Sequence, residues 1–293
     1  MSKILVTGAT GHLGKAITEF LLQKTDAANI SVLVRDATKA EVFKSKGVEV
    51  RIGDYNNKVS LLEAFKGVDK LYLVSGTDIE NRTAQHENAI LAAKEAGVKH
   101  VIYTSYQRKT ESANSHVALI ADSHLHTEKV LKDSGLIYTI LQDGLYAEVI
   151  PNFAGEKVLE SKTISLPAGQ GKTAFATRSD MAEASAVILL DETGKFNNRS
   201  IEIAGSEAIS WGQIASIISK VSGETITYAP MPKADFADAL TKAGVPALYI
   251  DMQVGFGQAI EAGEFDGVSG ELESLLGRKP VTVEEYLSGV YGK

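Results

Sequence analysis

The sequence predicts an α/β protein built on a doubly wound parallel sheet, and three observations carry that prediction. Short apolar, β-branched runs recur at 4–6, 30–35, 48–52, 70–74, 100–106 and 136–142. Stretches of helical periodicity separate them, several ended by a glycine such as Gly47, Gly97 or Gly135. The first run leads directly into Thr7-Gly8-Ala9-Thr10-Gly11-His12-Leu13-Gly14 and then a helix over His12–Leu22. Strands that alternate with helices must be joined by crossovers, which makes the sheet parallel and covers both its faces.

At 293 residues the chain is long enough to bury a full core. A net charge of −7 leaves no basic excess for tracking phosphates, so no nucleic-acid partner is expected. Without cysteine there is no disulfide and no thiolate chemistry. Met1-Ser2-Lys3 runs straight into a strand without a signal-peptide pattern. No apolar run approaches the roughly 20 residues of a spanning helix. A soluble, cytoplasmic monomer or homodimer without membrane insertion is expected.

The glycine loop carries the first chemistry. Gly8 and Gly11 allow a tight turn and a close backbone approach to a pyrophosphate, and Gly14 lets the helix pack on the strand. The helix then presents its N-terminal amides, from Thr10 through His12, Leu13 and Gly14, to the phosphates. The bland alternative is a turn and nothing more. Strand before and helix after are the context that a Rossmann-type dinucleotide site requires.

Arg35 ends the second strand, where the ribose arrives. An acid there would bond the 2′-hydroxyl of NAD; an arginine suits a 2′-phosphate, with Lys39 adding charge. Asp36 competes as a ribose acid one step late. NADPH/NADP is therefore the expected cofactor, with NAD as the alternative. In Gly53-Asp54-Tyr55, Asp54 either meets the adenine amino group or caps the helix Asn57–Phe65. Val74, Ser75 and Gly76 end the fourth strand and let backbone approach the cofactor. Thr104, Ser105 and Tyr106 end the fifth, near the nicotinamide. Helices are expected over 37–46, 81–96 and 116–134.

Beyond Asp143 the rhythm changes, and the chain divides into a dinucleotide-binding domain over 1–145 and a substrate-binding lobe over 146–293. Within the latter, Ser179-Asp180 starts a helix, 200–204 reads as a late strand returning to the main sheet, and Ser210 caps Trp211–Val221. Residues 225–228 make a short strand, and the rest is helical, broken at Gly244-Val245-Pro246 and closing with Val283–Val290.

One pattern is a decoy. Gly169-Gln170-Gly171-Lys172-Thr173 resembles the end of a Walker A loop, but Leu166 stands where its first glycine belongs. No G-x-S-x-G elbow is present. His124 and Glu128, four apart on a helix, share a face. A metal site would need further ligands, so no metal is expected. The pair either holds the helix against the sheet or works at the active site.

Thr7–Gly14, Val34-Arg35-Asp36, Gly53-Asp54-Tyr55, Thr104-Ser105-Tyr106, His124 to Glu128 and Asp143-Gly144-Leu145-Tyr146 together resemble the NmrA-like branch of the atypical short-chain dehydrogenases/reductases. Within it the chain is most similar to bacterial type 2 NADPH:quinone oxidoreductases and triphenylmethane reductases. The resemblance implies an NADPH-binding Rossmann lobe, extends the cofactor site to Gln142, Asp143 and Gly144, and implies a small C-terminal lobe closing over a quinone or similar aromatic acceptor. It also exposes two departures. His124 and Glu128 replace the Tyr-x-x-x-Lys of ordinary short-chain dehydrogenases, and Asp143 replaces a family asparagine. Hydride transfer into a conjugated acceptor makes a dedicated phenolic acid less necessary, because stacking over the nicotinamide does much of the work. Tyr106 and Tyr146 are the expected stacking walls, or else packing residues. His124 is the one candidate for a catalytic role, at a quinone oxygen. A non-catalytic redox sensor of NmrA type is the alternative function.

Overall fold

The computed structural model describes residues 2–111 and 115–292. The first stretch alternates as expected: β1 Ile4–Val6, α1 His12–Lys24, β2 Ile30–Val34, α2 Glu41–Lys44, β3 Glu49–Ile52, α3 Lys58–Phe65, β4 Lys70–Leu73, α4 Arg82–Ala96, β5 His100–Tyr106, α5 Ala118–Asp133 and β6 Ile137–Asp143. Then come α6 Ile150–Ala154, α7 Val158–Ser161, β7 Thr163–Ile164, β8 Lys172–Thr173, α8 Arg178–Leu190, β9 Arg199–Ile203, β10 Ile209–Ser210, α9 Trp211–Ser222, β11 Thr227–Tyr228, α10 Lys233–Lys242, α11 Ala247–Glu261, α12 Glu271–Leu276 and α13 Val283–Tyr291.

The main sheet has seven strands in the order β3-β2-β1-β4-β5-β6-β9, the doubly wound order with its reversal between β1 and β4. Ile4 pairs with Ile30 on one side and Lys70 on the other, both parallel. The late strand β9 flanks β6, with Asn198 N–H donating to Tyr138 O (2.7 Å) and Gly144 N–H donating to Ile203 O (2.8 Å).

Contacts gather the chain into two units, Met1–Tyr106 with Asp122–Asp143 and Arg178–Glu202, and Gln107–Ala121 with Gly144–Thr177 and Ile203–Lys293. The first unit thus takes α8 as well as most of β9, while 107–121 leaves it. The reason lies in the packing of α8 against α1. Tyr72 OH bonds Ser185 Oγ (2.8 Å), and buried Lys70 Nζ donates to Leu189 O (2.9 Å). On the other face Leu5, Leu71, Leu73, Val101 and Ile140 meet Leu61, Phe65, Ile90 and Leu131, all at most 1% exposed. Each such side chain stabilises the fold by roughly 1.5–3 kcal/mol.

In the second unit Phe153, Phe175, Trp211, Phe256 and Phe265 form a chain of rings with centroids 5.8–6.2 Å apart. Two small ladders, β10 with β8 and β11 with β7, complete it. The Walker-like glycine is a packing device, because a Cβ on Gly171 would collide with the carbonyl of Ile260. Among the described residues no helix is long and apolar enough to cross a membrane.

Two local expectations are corrected. The helix over 37–46 is a 3-10 turn, Ala37–Ala40, followed by the single turn of α2. Asp36 starts that turn by accepting from Thr38 N–H (2.9 Å), a competing local bond that Asp favours over helix. Asp54 does not cap α3; Asn57 does, accepting from Ser60 N–H (3.1 Å).

Candidate functional site

The first unit holds a cleft of about 270 Å³, open to solvent, along the carboxyl ends of β1 to β4. Gly8, Thr10 and Gly11 after β1, Arg35 after β2, Asp54 and Tyr55 after β3, and Val74, Ser75, Gly76, Asp78 and Gln85 after β4 line it.

The glycine loop is built for an anion. Gly8 has φ +61°, a left-handed conformation in which a side chain would be strained, and its carbonyl accepts from Gly11 N–H (2.9 Å). Gly11 is the N-cap of α1, with no side chain to cap the helix and no acid in the first turn. The amides of His12, Leu13 and Gly14 therefore have no intrahelical acceptor. Leu13 is 7% exposed and contributes by its backbone. A Cβ on Gly14 would lie 2.5 Å from Gly8 O, so only glycine lets α1 press against the loop.

At the ribose end Arg35 is exposed and lines the cleft, and among the described residues no carboxylate pairs with it. Asp36 is spent on the 3-10 turn: Thr38 donates its N–H and its hydroxyl (2.7 Å), which holds the carboxyl below its usual range. Neither Asp36 nor Lys39 is among the residues that line the cleft. Asp54 is on the wall, with Oδ1 accepting from Asn56 N–H (2.8 Å).

The loop after β4 is held from below by Thr7, Tyr55 and Thr104, and by Arg82 and His86, which the sequence did not single out. Thr7 Oγ1 accepts from Val74 N–H (2.9 Å) and the Tyr55 hydroxyl (2.5 Å). Ser75 N–H donates to Thr104 Oγ1 (2.8 Å), so Thr104, 2% exposed, supports the loop and does not face the cleft. Both backbone groups of Gly76 are held by α4: its N–H donates to His86 Nε2 (2.9 Å) and its carbonyl accepts from Arg82 Nε (2.7 Å). Burial, reinforced by Arg82, pushes His86 down to about 3, so the imidazole is neutral and Nε2 is free to accept. Histidine and arginine four apart on a helix are a visible pattern; their shared target is not.

At the ends of β5 and β6, Ser105 faces Gln142 and Tyr106 faces Asp143 in register. Ser105 is 5% exposed and donates to Glu128 Oε1 (2.5 Å), so its hydroxyl serves α5 and not a cofactor. Glu128 also accepts from Lys132 (3.3 Å). Tyr103 OH bonds His124 Nδ1 (2.7 Å), Arg82 Nη1 lies 3.5 Å from His124 Nε2, and the ring packs on Tyr106 at 5.2 Å. His124 and Glu128 thus tie α5 to β5 separately. Tyr106 is 9% exposed and Gln142 half-buried. Asp143 is 7% exposed, its Oδ2 is buried with no hydrogen-bond partner among the described residues, and desolvation lifts its carboxyl well above the usual range. Gly144, in the second unit, has its amide committed to Ile203 O, which removes it as a ligand donor. Tyr146, also there, is half-buried and bridges to Ala176.

The profile of the NmrA-like family matches residues 1–287. Quinone oxidoreductase 2 of Escherichia coli is 38% identical, with 98% of each chain covered. The solved structure of that NADPH-dependent enzyme complexed with NADPH superposes with a TM-score of 0.92, covering 99% of this chain and 100% of the other. Triphenylmethane reductase of Citrobacter sp. complexed with NADP(H) gives 0.89 at 34% identity, covering 98% and 99%. The likeness to the negative transcriptional regulator NmrA in complex with NAD, 17% identical with a TM-score of 0.79 over 99% of this chain and 95% of the other, is one of fold.

Proposed function

The chain belongs to the NmrA-like family, and from that premise we propose that it is an NADPH-dependent oxidoreductase that passes hydride to a quinone or a similar conjugated aromatic acceptor. The observation that carries the proposal is the cleft of the first unit, lined by the loop that leads into an uncapped helix N-terminus and by Arg35, which pairs with no carboxylate among the described residues. Amides and helix dipole suit a pyrophosphate. A guanidinium with no competing acid suits a 2′-phosphate. The regulator reading has only a likeness of fold behind it.

When bound, the reduced cofactor supplies the hydride. The chain's part is to bind and orient. His12, Leu13 and Gly14 hold the pyrophosphate by their amides, Arg35 the 2′-phosphate, and Asp54 the adenine amino group. Thr7, Tyr55, Thr104, Arg82 and His86 hold the 74–76 loop in one shape, which is the positioning that hydride transfer needs. Tyr106 offers a ring to the acceptor, and His124 fixes that ring from behind. Rapid mixing of protein, NADPH and a small benzoquinone tests the function: nicotinamide absorbance should fall at a rate that depends on protein. No loss across a panel of quinones overturns the reading.

A further inference from the structure

Gln85, in α4, lines the cleft of the first unit and yet is only 5% exposed. Its Nε2 donates to Asn56 Oδ1 (3.2 Å), in the segment after β3, and to Asp78 Oδ2 (3.1 Å), in the segment after β4. Both amide hydrogens are thereby committed, and since a carboxylate only accepts, Asp78 settles which end of the Gln85 amide is nitrogen. Among the described residues nothing donates to the other end, Oε1. A Cβ on Gly76 would lie 3.0 Å from that oxygen, so Oε1 stands against the α-carbon of another residue of the cleft lining. Its neighbours there offer it no donor. Asp54 and Asp78 are carboxylates, and Asn56 Nδ2 is spent on Asp54 Oδ1 (3.1 Å). A nearly buried acceptor with its amide locked in place calls for an N–H or O–H from whatever fills the cleft.

We propose that Gln85 is a specificity-determining residue that selects the base of the cofactor, its Oε1 accepting a hydrogen bond from the 6-amino group of adenine. This rests on the proposed function, in which the cleft takes NADPH. At the adenosine end the phosphates only accept, which leaves the ribose 3′-hydroxyl and the adenine amino group as donors. The 3′-hydroxyl goes with the 2′-phosphate toward Arg35, after β2. Gln85 is tied through Asn56 to Asp54, the residue assigned to the amino group. The two N–H bonds of that group then find one acceptor each. A base with a carbonyl at the same position, as in hypoxanthine or guanine, would set oxygen against oxygen.

Calorimetric titration with NADPH and with reduced nicotinamide hypoxanthine dinucleotide phosphate, which differs only in an oxygen for the amino group, tests it. Wild type should bind NADPH tighter by about tenfold or more, the scale of a lost hydrogen bond with an acceptor left unpaired. Gln85→Met keeps the length of the side chain without its carbonyl, and should cut that ratio by about fivefold or more. The ratio is the informative quantity, because a loosened cleft weakens both ligands alike. Gln85→Asn, which keeps an amide but withdraws the carbonyl by one methylene, should lower the ratio in the same way and serves where thermal melts show Gln85→Met to be unfolded. Equal affinities in wild type, or a ratio that survives in the folded variant, overturn the proposal alone. Wild type that binds neither dinucleotide overturns the cofactor reading, and this proposal with it.

Discussion

Replacing Gly14 by alanine is the sharpest probe of the glycine loop. The new methyl carbon would stand 2.5 Å from Gly8 O, 2.7 Å from Gly8 C and 2.8 Å from Thr7 O, all backbone atoms. Real Cβ contacts stay at or above 3.0 Å, so loop and helix must part by at least 0.5 Å (3.0 − 2.5). Forcing a methyl into a packed site costs roughly 1–3 kcal/mol. The same shift moves the amides that receive the pyrophosphate, and a hydrogen bond to a charged group contributes about 1.5–3 kcal/mol. Losing one lowers NADPH affinity by roughly 10- to 100-fold. Gly11→Ala is the control, with φ −90° and a single contact at 3.3 Å to Gly8 O. It should cost less than about 1 kcal/mol of stability, the scale of an N-cap change, while its methyl still stands where the pyrophosphate approaches. Calorimetric titration with NADPH and thermal melts of the three proteins separate the effects. Gly14→Ala lowers both affinity and Tm, Gly11→Ala affinity alone. A Gly14→Ala protein with wild-type Tm and a Kd within twofold would refute the steric reasoning.

Other outcomes follow from the same geometry. Arg35→Ala should weaken NADPH binding by about 10- to 100-fold, one charge-assisted contact, and leave NADH binding unchanged, as read by titration of each. Ser105→Ala removes a bond to buried Glu128 and should cost roughly 1–3 kcal/mol in urea melts, with NADPH affinity unchanged because the hydroxyl faces α5. Asp143 gives a pH signature. Its folded pKa is raised by burial, so the stability it contributes is fully present below the unfolded value of about 4 and is lost as pH rises toward the folded one. Asp143→Asn should therefore gain on wild type by up to about 1.4 kcal/mol per pH unit from pH 4 upward, reaching a plateau. A difference that is flat with pH would contradict the burial argument.

Strand and helix alternation, the glycine loop and Arg35 were legible because each rests on local chemistry: period, backbone freedom, a charge at a strand end. Lys39 and Asp54 show the limit. Asn57 and Asp54 are equally good caps on paper, and only the turn geometry assigns the cap to Asn57. The spacing of His124 and Glu128 correctly puts both on the face toward the sheet, yet their partners, Tyr103 and Ser105, are set by β5 and invisible to helix periodicity. The hold of Arg82 and His86 on Gly76 was missed for a similar reason, since its target is backbone. In the second unit, ladders of two residues leave no alternation to read.

The first unit is not continuous along the chain. A ribosome that has released 150 residues has delivered the whole glycine loop and six strands, but neither α8, which covers α1, nor β9, which completes the edge beside β6. Until residue 202 emerges, that nascent chain carries an apolar helix face and an open strand edge, the two surfaces most prone to misassociation. Synthesis of this protein thus includes an interval in which an apparently complete nucleotide-binding half leaves both surfaces uncovered, and truncation after β6 would make that exposure permanent.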